Sequence, residues 1–289
     1  MKLLVPDYYN DFRCIADKCR HSCCIGWEID IDEDTLELYS SIGGKFGKRL
    51  RDSISHDDCP HFTLSQGNRC PFLDSQGLCE IITELSDGAL CDICADHPRY
   101  RNYFEDRIEM GLGLCCEEAA RIILSKTSKT YLSDIDSGEK ATIDDERQKI
   151  LDILQNREKP FAERLSALYK FEDLDYSFLL LSLERLDNEW EKYIALLSEN
   201  KSADLSQFDT VFEQLAVYFI LRHTAEDFEN GLLFSAFSVY IIQKLCAALK
   251  CRNGVLTFPE ILDICRMYSS EIEYSDQNII RIISAIAKD

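Results

Sequence analysis

The placement of cysteine constrains this chain more than any other feature of its sequence. Eleven of the 14 cysteines lie within the first 116 residues, and the other three, Cys246, Cys251 and Cys265, come much later. Cysteines that serve only as small buried hydrophobic residues would be spread more evenly. The partition predicts two regions of different construction. The first uses its thiols for more than packing, and the three late cysteines are expected to be buried inside helices.

The early cysteines fall into local groups whose spacing is typical of metal ligands. The groups are Cys14-x4-Cys19-x3-Cys23-Cys24, Cys70 with Cys79, Cys91-x2-Cys94, and Cys115-Cys116 just ahead of a predicted helix. Soft thiolates at such spacings select zinc, copper(I) or an iron–sulfur cluster. Together they predict a metal or cluster site. The spacing leaves open whether there is one site or two, and whether His21, His56, His61 and His97 compete as zinc ligands.

The cellular compartment decides between metal ligation and disulfide bonding. The start of the chain, MKLLVPDYYNDF, contains Pro6 and Asp7 and develops no apolar signal segment, so we expect a cytoplasmic protein. The apolar run over 231–250 is interrupted by Ser, Gln and Lys, which predicts a buried helix rather than a membrane span. Because the cytoplasm keeps thiols reduced, metal ligation is the expected use of the early cysteines.

The remaining pattern predicts a mainly α protein in two domains. Residues 1–126 are rich in Gly, Cys and turn signals, which favours short helices and irregular loops stabilised by metal over a regular sheet. The polar stretch 127–148 is typical of a linker. Residues 149–289 show helical periodicity and predict an all-α bundle. Within it we expect one long helix over 175–200 and a helix capped by Ser206 or Asp209.

Charge and missing motifs exclude several function classes. The net charge of -20 argues against nucleic acid and anionic membranes, because both require basic surfaces, and it favours a basic or lysine-presenting partner. The C-x3-C-x2-C spacing of many radical S-adenosylmethionine enzymes fails, since Gly26 stands at its third position. No dinucleotide-type glycine fingerprint, phosphate loop or Ser-His-Asp triad is present.

The motifs YYNDFRCIADKCRHSCCIGWEIDID, CPFLDSQGLCEI, LCDICADHPR and LCCEEAARIIL resemble those of the flagellin lysine-N-methylase (FliB) family. Parts of them are also similar to small cysteine-rich proteins thought to chelate zinc or iron. The resemblance implies methyl transfer from S-adenosylmethionine to lysine side chains of flagellin, with an iron–sulfur cluster, 4Fe–4S in type, and with zinc as the alternative metal. By position, the implied metal ligands are Cys14, Cys19, Cys23, Cys24, Cys70, Cys79, Cys91, Cys94 and Cys116.

The resemblance leaves the mechanism open. Arg99, in HPRYR, is a candidate partner for the carboxylate of S-adenosylmethionine. A polar transfer needs a base near the lysine, for which Asp30, Asp32 and Glu109 are candidates, whereas a radical transfer does not need that base in the same way. The alternative function is a non-catalytic zinc- or iron-binding or delivery protein whose helical part is an interaction module.

Overall fold

The protein is described here by a computed structural model that covers residues 1–57, 59–199 and 201–287. The chain forms two compact units. The helical unit consists of Met1–Arg13 together with Arg99–Asp289, and the cysteine-rich unit is Cys14–Pro98. Each unit has its own hydrophobic core. These bounds differ from the predicted division at residues 126 and 149, because the first strand and the segment from residue 99 pack with the later helices.

Two sheets are present in the described parts of the chain. In the larger one the strand order is β4-β5-β1-β6, with β1 parallel to β5 and antiparallel to β6, and with β4 and β5 forming an antiparallel hairpin. The smaller one pairs β2 with β3. The strands are β1 (Lys2–Pro6), β2 (Ile54–Ser55), β3 (His61–Phe62), β4 (Arg99–Tyr103), β5 (Arg107–Leu112) and β6 (Leu132–Asp134).

The four-stranded sheet was not predicted from the sequence, and the expectation of an irregular first region without a sheet is wrong in this respect. The central strand β5 is buried along most of its length, so it lacks the alternation of polar and apolar residues that marks a half-exposed strand. Its partner β1 lies about a hundred residues earlier, with Leu3 opposite Ile108. Pairing at that separation leaves no local signal.

The helices occupy most of the described chain, and the protein is mainly α as predicted. They are α1 (Glu33–Ser41), α2 (Gly44–Asp52), α3 (Glu80–Glu84), α4 (Asp92–Asp96), α5 (Glu117–Ser125), α6 (Asp145–Leu154), α7 (Phe161–Ser166), α8 (Ser177–Leu181), α9 (Glu189–Leu197), α10 (Asp209–His223), α11 (Phe228–Asn253), α12 (Phe258–Tyr268) and α13 (Asp276–Ile286). A π-helical turn, Ser269–Glu273, follows α12.

Helix α11 is the central element of the helical unit. Its N-terminus is capped by the Asp227 carboxylate, which accepts a hydrogen bond from the backbone N–H of Asn230, and Gly254 ends it in the left-handed conformation. In the described chain it alone is long and apolar enough to cross a membrane, but 72% of its most apolar window is buried inside the protein. Its hydrophobic surface is thus used in the core, as predicted for the run over 231–250.

The long helix expected over 175–200 is wrong. The chain instead forms α8 and α9 with a break at 182–188, and Asn200 lies outside the described residues. The buried carboxylate of Glu271 accepts hydrogen bonds of 2.9 Å from the backbone N–H groups of Leu186 and Asp187. The side-chain oxygen of Asn278 likewise accepts a hydrogen bond of 2.9 Å from the backbone N–H of Glu184. These tertiary acceptors take the N–H groups that a continuous helix would use.

Two smaller expectations also differ from the structure. Neither Ser206 nor Asp209 caps α10, since Phe208 is the N-cap residue and makes no side-chain cap bond. The Asp209 carboxylate instead accepts a hydrogen bond from the backbone N–H of Phe161 at the start of α7. The polar segment 127–148 is not a free linker, because it contains β6 and buries Thr130, which is bonded to Gln155 and Gln214.

Candidate metal centre

The cysteine-rich unit is built around a small core in which thiols take a large share. Cys70 and Cys91 are buried among Tyr39, Phe62 and Phe72, with further aliphatic side chains. Cys24, Cys79 and Cys94 are partly buried and pack against the same core. We refer to Cys24, Cys70, Cys79, Cys91 and Cys94 as the thiol cluster. A core this small has little apolar area to offset chain entropy, so ligation by these thiols would add needed stability.

Short backbone contacts bring the segments of the thiol cluster together. The backbone N–H of Cys70 donates to the carbonyl of Cys24 at 2.8 Å, which joins the first and second cysteine groups. Leu73 pairs with Cys79 across the turn DSQG. Cys91 is the N-cap residue of α4, and the backbone N–H of the next residue, Asp92, donates to the Asp32 carboxylate at 2.8 Å. Three of the predicted groups thus meet in one unit.

The thiols of the cluster influence one another's pKa. A hydrogen bond with the Cys23 side chain lowers the pKa of the Cys24 thiol to about 7. A hydrogen bond with Cys94 likewise lowers the pKa of Cys91. Burial, together with the neighbouring charges of Cys24, Cys79 and Cys91, raises the pKa of Cys70 to about 12. Two thiols are thus favoured as thiolates, and the rest are disfavoured by burial and by each other.

Backbone N–H groups influence the pKa of several thiols. Those of Phe72, of Ile81 and Ile82, and of Cys94 act to lower the pKa of Cys70, Cys79 and Cys91, respectively. Such donors stabilise a thiolate and would do so for a sulfur bound to a cation. By ligand type alone, these thiols suit a soft metal ion or an iron–sulfur cluster. Within the described residues, however, no group of three or more Cys, His, Asp or Glu side chains has the arrangement needed to hold a metal ion.

The other predicted ligands lie elsewhere or are less enclosed. Cys14 and Cys23 are exposed, and the Cys19 thiol donates to the carbonyl of His21 at 3.2 Å. Cys116 belongs to the helical unit, where it is the N-cap residue of α5. Cys59, which has no counterpart in the family motifs, is exposed. The thiol cluster thus contains part of the predicted ligand set rather than all of it.

The candidate bases are engaged in structural contacts. The Glu109 carboxylate is buried and pairs with Arg147 at 2.8 Å and Arg107 at 2.9 Å. Asp32 is the N-cap residue of α1 and also bonds α4. Asp30 is exposed and forms a backbone bridge with His61. Because Glu109 and Asp32 already serve as acceptors of structural hydrogen bonds, the geometry favours neither as a base.

The predicted cofactor residue Arg99 begins β4 in the helical unit. Its Nε donates to the Tyr9 hydroxyl at 2.7 Å, and its guanidinium lies over the rings of Tyr9 and Phe12. Stacking of this kind holds an arginine side chain in one orientation. Two clefts of the helical unit, of about 410 and 450 Å³, are lined by neither Arg99 nor a cysteine.

The three late cysteines were expected to be buried. Cys246 in α11 and Cys265 in α12 are fully buried, as predicted. Cys251 is exposed near the end of α11, and its thiol donates to the carbonyl of Ser202 at 3.4 Å, so the prediction for this residue is wrong. Cys251 lies in the last turn, on the helix surface that the core does not reach.

A buried polar network in the helical unit was missed by sequence reasoning. The Glu273 carboxylate, on the π-helical turn, binds the Tyr218 hydroxyl at 3.0 Å and His223 Nε2 at 2.7 Å. Arg222 donates to the same hydroxyl at 2.7 Å and lies over the ring of Tyr274. The one sequence signal for this network was the pair Arg222-His223 in the last turn of α10, where the helix dipole stabilises positively charged side chains.

This network predicts that the helical unit loses stability in acid. Burial lowers the pKa of His223, and Arg222 and His223 hold the pKa of Glu273 low despite the burial that raises it. Both folded pKa values lie below their unfolded values. Below about pH 6.5, the ordinary pKa of histidine, the unfolded chain therefore binds more protons than the folded chain. The free energy of unfolding then decreases as the pH is lowered.

We expect His223→Gln to flatten the fall in unfolding free energy between about pH 7.5 and about pH 5.5, the range in which histidine titrates. Urea unfolding of both proteins followed by circular dichroism measures this. His56→Gln, at an exposed position, should retain the wild-type slope. Equal slopes for wild type and His223→Gln would show that His223 is not the titrating group.

Comparison with known proteins places the chain. Residues 170–289 match the model of the FliB lysine N-methylase C-terminal domain. The lysine-N-methylases of Salmonella choleraesuis and Salmonella typhimurium are each 26% identical to this chain over 280 residues, which cover 90% of it and 70% of each relative. The chain is thus similar to FliB lysine N-methylases over most of its length. This resemblance supports a methyltransferase enzyme.

A further relative carries a flagellar name. The flagellar biosynthetic protein FliU of Salmonella muenchen is 28% identical over 137 residues, which cover 45% of this chain and 80% of FliU. No solved structure matches the chain. The match to the C-terminal domain begins at residue 170 and includes α8 to α13. It therefore covers much of the helical unit and none of the thiol cluster.

Proposed function

We propose that this protein transfers methyl groups from S-adenosylmethionine to lysine side chains of flagellin and that its thiol cluster holds an iron–sulfur cluster. The observation that carries the proposal is the similarity to lysine-N-methylases over 90% of the chain. The flagellar role of the related FliU supports flagellin as the substrate. The acidic net charge of -20 suits a substrate that presents lysines.

The reaction needs a neutral lysine amine. In the polar form, the nitrogen lone pair attacks the methyl carbon, the carbon–sulfur bond breaks with its electron pair on sulfur, and S-adenosylhomocysteine leaves. The ammonium proton must first pass to a base or to water. Asp30 is the exposed acid among the three candidates, whereas Glu109 and Asp32 are held in structural contacts. Arg99 would bind the carboxylate of the donor through its guanidinium.

The thiol cluster supports the metal part of the proposal through its donor set. Four thiolates hold one cluster, and the five cysteines Cys24, Cys70, Cys79, Cys91 and Cys94 supply that number with one to spare. Nearby backbone N–H groups act to lower the pKa of Cys70, Cys79 and Cys91 and would stabilise their thiolates. When bound, such a cluster supplies one-electron redox chemistry or an electrophilic iron atom.

The proposal is tested by purifying the protein without oxygen and measuring iron, sulfide, zinc and visible absorption. The protein is then incubated with S-adenosylmethionine and flagellin, and the intact mass of flagellin is recorded. We expect iron and sulfide in equal amounts and repeated mass gains of one methyl group. Unmodified flagellin in the presence of an intact cluster would contradict the enzymatic proposal. A colourless zinc protein without activity would favour the alternative, a metal-binding or delivery protein.

A further inference from the structure

An exposed apolar surface lies on the helical unit around α8. The exposed fractions of Phe178 and Leu186 are 83% and 62%, and Leu174 and Leu181 are also exposed. Phe178 and Leu181 are three residues apart on α8, which places them on one face. Single exposed hydrophobic residues are ordinary, but several within one short segment indicate an interaction surface. We call Leu174, Phe178, Leu181 and Leu186 the apolar surface.

The apolar surface is held rigidly by buried groups. The backbone of 184–187, which carries Leu186, is fixed by Glu271 and Asn278, both nearly inaccessible to solvent. Asn278 also donates to the carbonyl of Glu184 at 2.9 Å, and Arg281 donates to the carbonyl of Ser182. Two buried polar side chains thus hold a loop in a fixed shape while its leucine faces solvent. A surface that is ordered before binding loses less entropy when a partner binds.

The charge around the apolar surface identifies the chemistry of its partner. From residue 172 to residue 191 the chain carries seven acidic residues and one basic residue, Arg185, which pairs with Glu191. Lys244 pairs with Asp173 and Lys192 with Glu189, so the acidic residues still outnumber the neighbouring cations. The acidic residues are Glu172, Asp173, Asp175, Glu184, Asp187, Glu189 and Glu191, and all are exposed. An apolar centre with an acidic rim complements a protein surface that combines hydrophobic residues with lysines.

We infer that the apolar surface and its acidic rim form the docking site for the lysine-bearing protein substrate. This inference rests on the proposed function, since it takes flagellin as that substrate. Docking at this surface raises the local concentration of substrate lysines without taking part in methyl transfer. Its loss therefore raises the KM for flagellin and leaves kcat unchanged. Because the rim is exposed, the affinity also falls as the ionic strength rises.

The test compares steady-state methylation of flagellin by wild type, by the double variant F178S/L186S and by the control V255S, which alters an equally exposed aliphatic residue on another loop of the helical unit. We expect F178S/L186S to raise the KM on the order of tenfold or more, the usual effect of removing central apolar anchors. The kcat should stay at the wild-type value, and V255S should behave as wild type. An unchanged KM for F178S/L186S, with wild type active, would overturn the docking inference alone.

Two further measurements separate the remaining outcomes. If wild type does not methylate flagellin, the proposed function fails. Direct binding of flagellin to wild type and to F178S/L186S then tests the docking site separately. Weaker binding by the variant supports the docking site, and equal binding overturns it. The rim is tested by E189Q/E191Q, which should weaken flagellin binding and reduce its dependence on salt. If F178S/L186S instead converts a dimer into a monomer without changing flagellin binding, the surface is a self-association face and the inference is wrong.

Discussion

Replacing Cys91 by serine is expected to remove the proposed iron–sulfur cluster and to abolish the proposed methylation. Cys91 is buried in the core of the cysteine-rich unit, and its pKa is lowered by the hydrogen bond with the Cys94 side chain and by a backbone N–H. A serine hydroxyl is nearly isosteric but stays protonated and is a poor ligand for soft metals. We therefore expect Cys91→Ser to contain little iron and sulfide and to show no visible absorption, whatever the assay for methyl transfer shows.

The matched controls for Cys91→Ser are the exposed cysteines outside the thiol cluster. Cys59→Ser lies in the same unit and Cys251→Ser in the helical unit. Both should retain the iron content and spectrum of the wild type. Extending the series to Cys24, Cys70, Cys79 and Cys94 distinguishes four ligands from the one spare thiol, since one of the five variants should keep its metal. Full metal content in all five variants would refute the assignment of the thiol cluster as the metal centre.

Replacing Glu213 by glutamine is expected to destabilise the helical unit by about 3–5 kcal/mol, the usual effect of removing one partner of a buried ion pair. The Glu213 carboxylate on α10 is inaccessible to solvent. It pairs with Arg164 of α7 at 2.6 Å and Arg157 at 2.8 Å. Arg164 is itself buried, so the variant leaves a buried guanidinium without its counter-ion. Urea unfolding followed by circular dichroism would measure the loss.

Two companions make the Glu213 result specific. Glu163→Gln, at an exposed position on the same helix as Arg164, removes an equal charge and should change stability by less than about 0.5 kcal/mol. The double variant E213L/R164M replaces the buried pair with apolar side chains and should recover most of the loss, because no uncompensated charge remains. A Glu213→Gln protein as stable as wild type would mean that Arg164 finds another partner or reaches water.

Local patterns in the sequence predict several elements of this fold. The apolar periodicity of ERQKILDILQ predicts α6, and the first-turn Pro259 predicts the start of α12, where Thr257 and Glu260 also form a capping box. The apolar run over 231–250 is the core of α11. In each case the signal and the structure involve residues within a few turns of each other.

The cysteine spacing determines which thiols are close only within each group. Cys91 and Cys94 meet because a turn of α4 joins them, whereas the meeting of Cys24 with Cys70 depends on a backbone hydrogen bond between distant segments. Cys116 lies in the helical unit because β5 before it and α5 after it belong to that unit, and its local motif does not show this. The family motifs therefore do not show which of the cysteines gather, and their role as ligands stays a prediction.

By itself, the sequence determined the mainly α composition, the helices with strong periodicity and the concentration of thiols in the first part of the chain. The tertiary structure alone decided the four-stranded sheet, the bounds of the two units and the break between α8 and α9. The physical reason is the range of the forces involved. Helical periodicity and turn chemistry act between near neighbours, whereas the pairing of β1 with β5 and the capture of backbone N–H groups by Glu271 depend on residues about a hundred positions away.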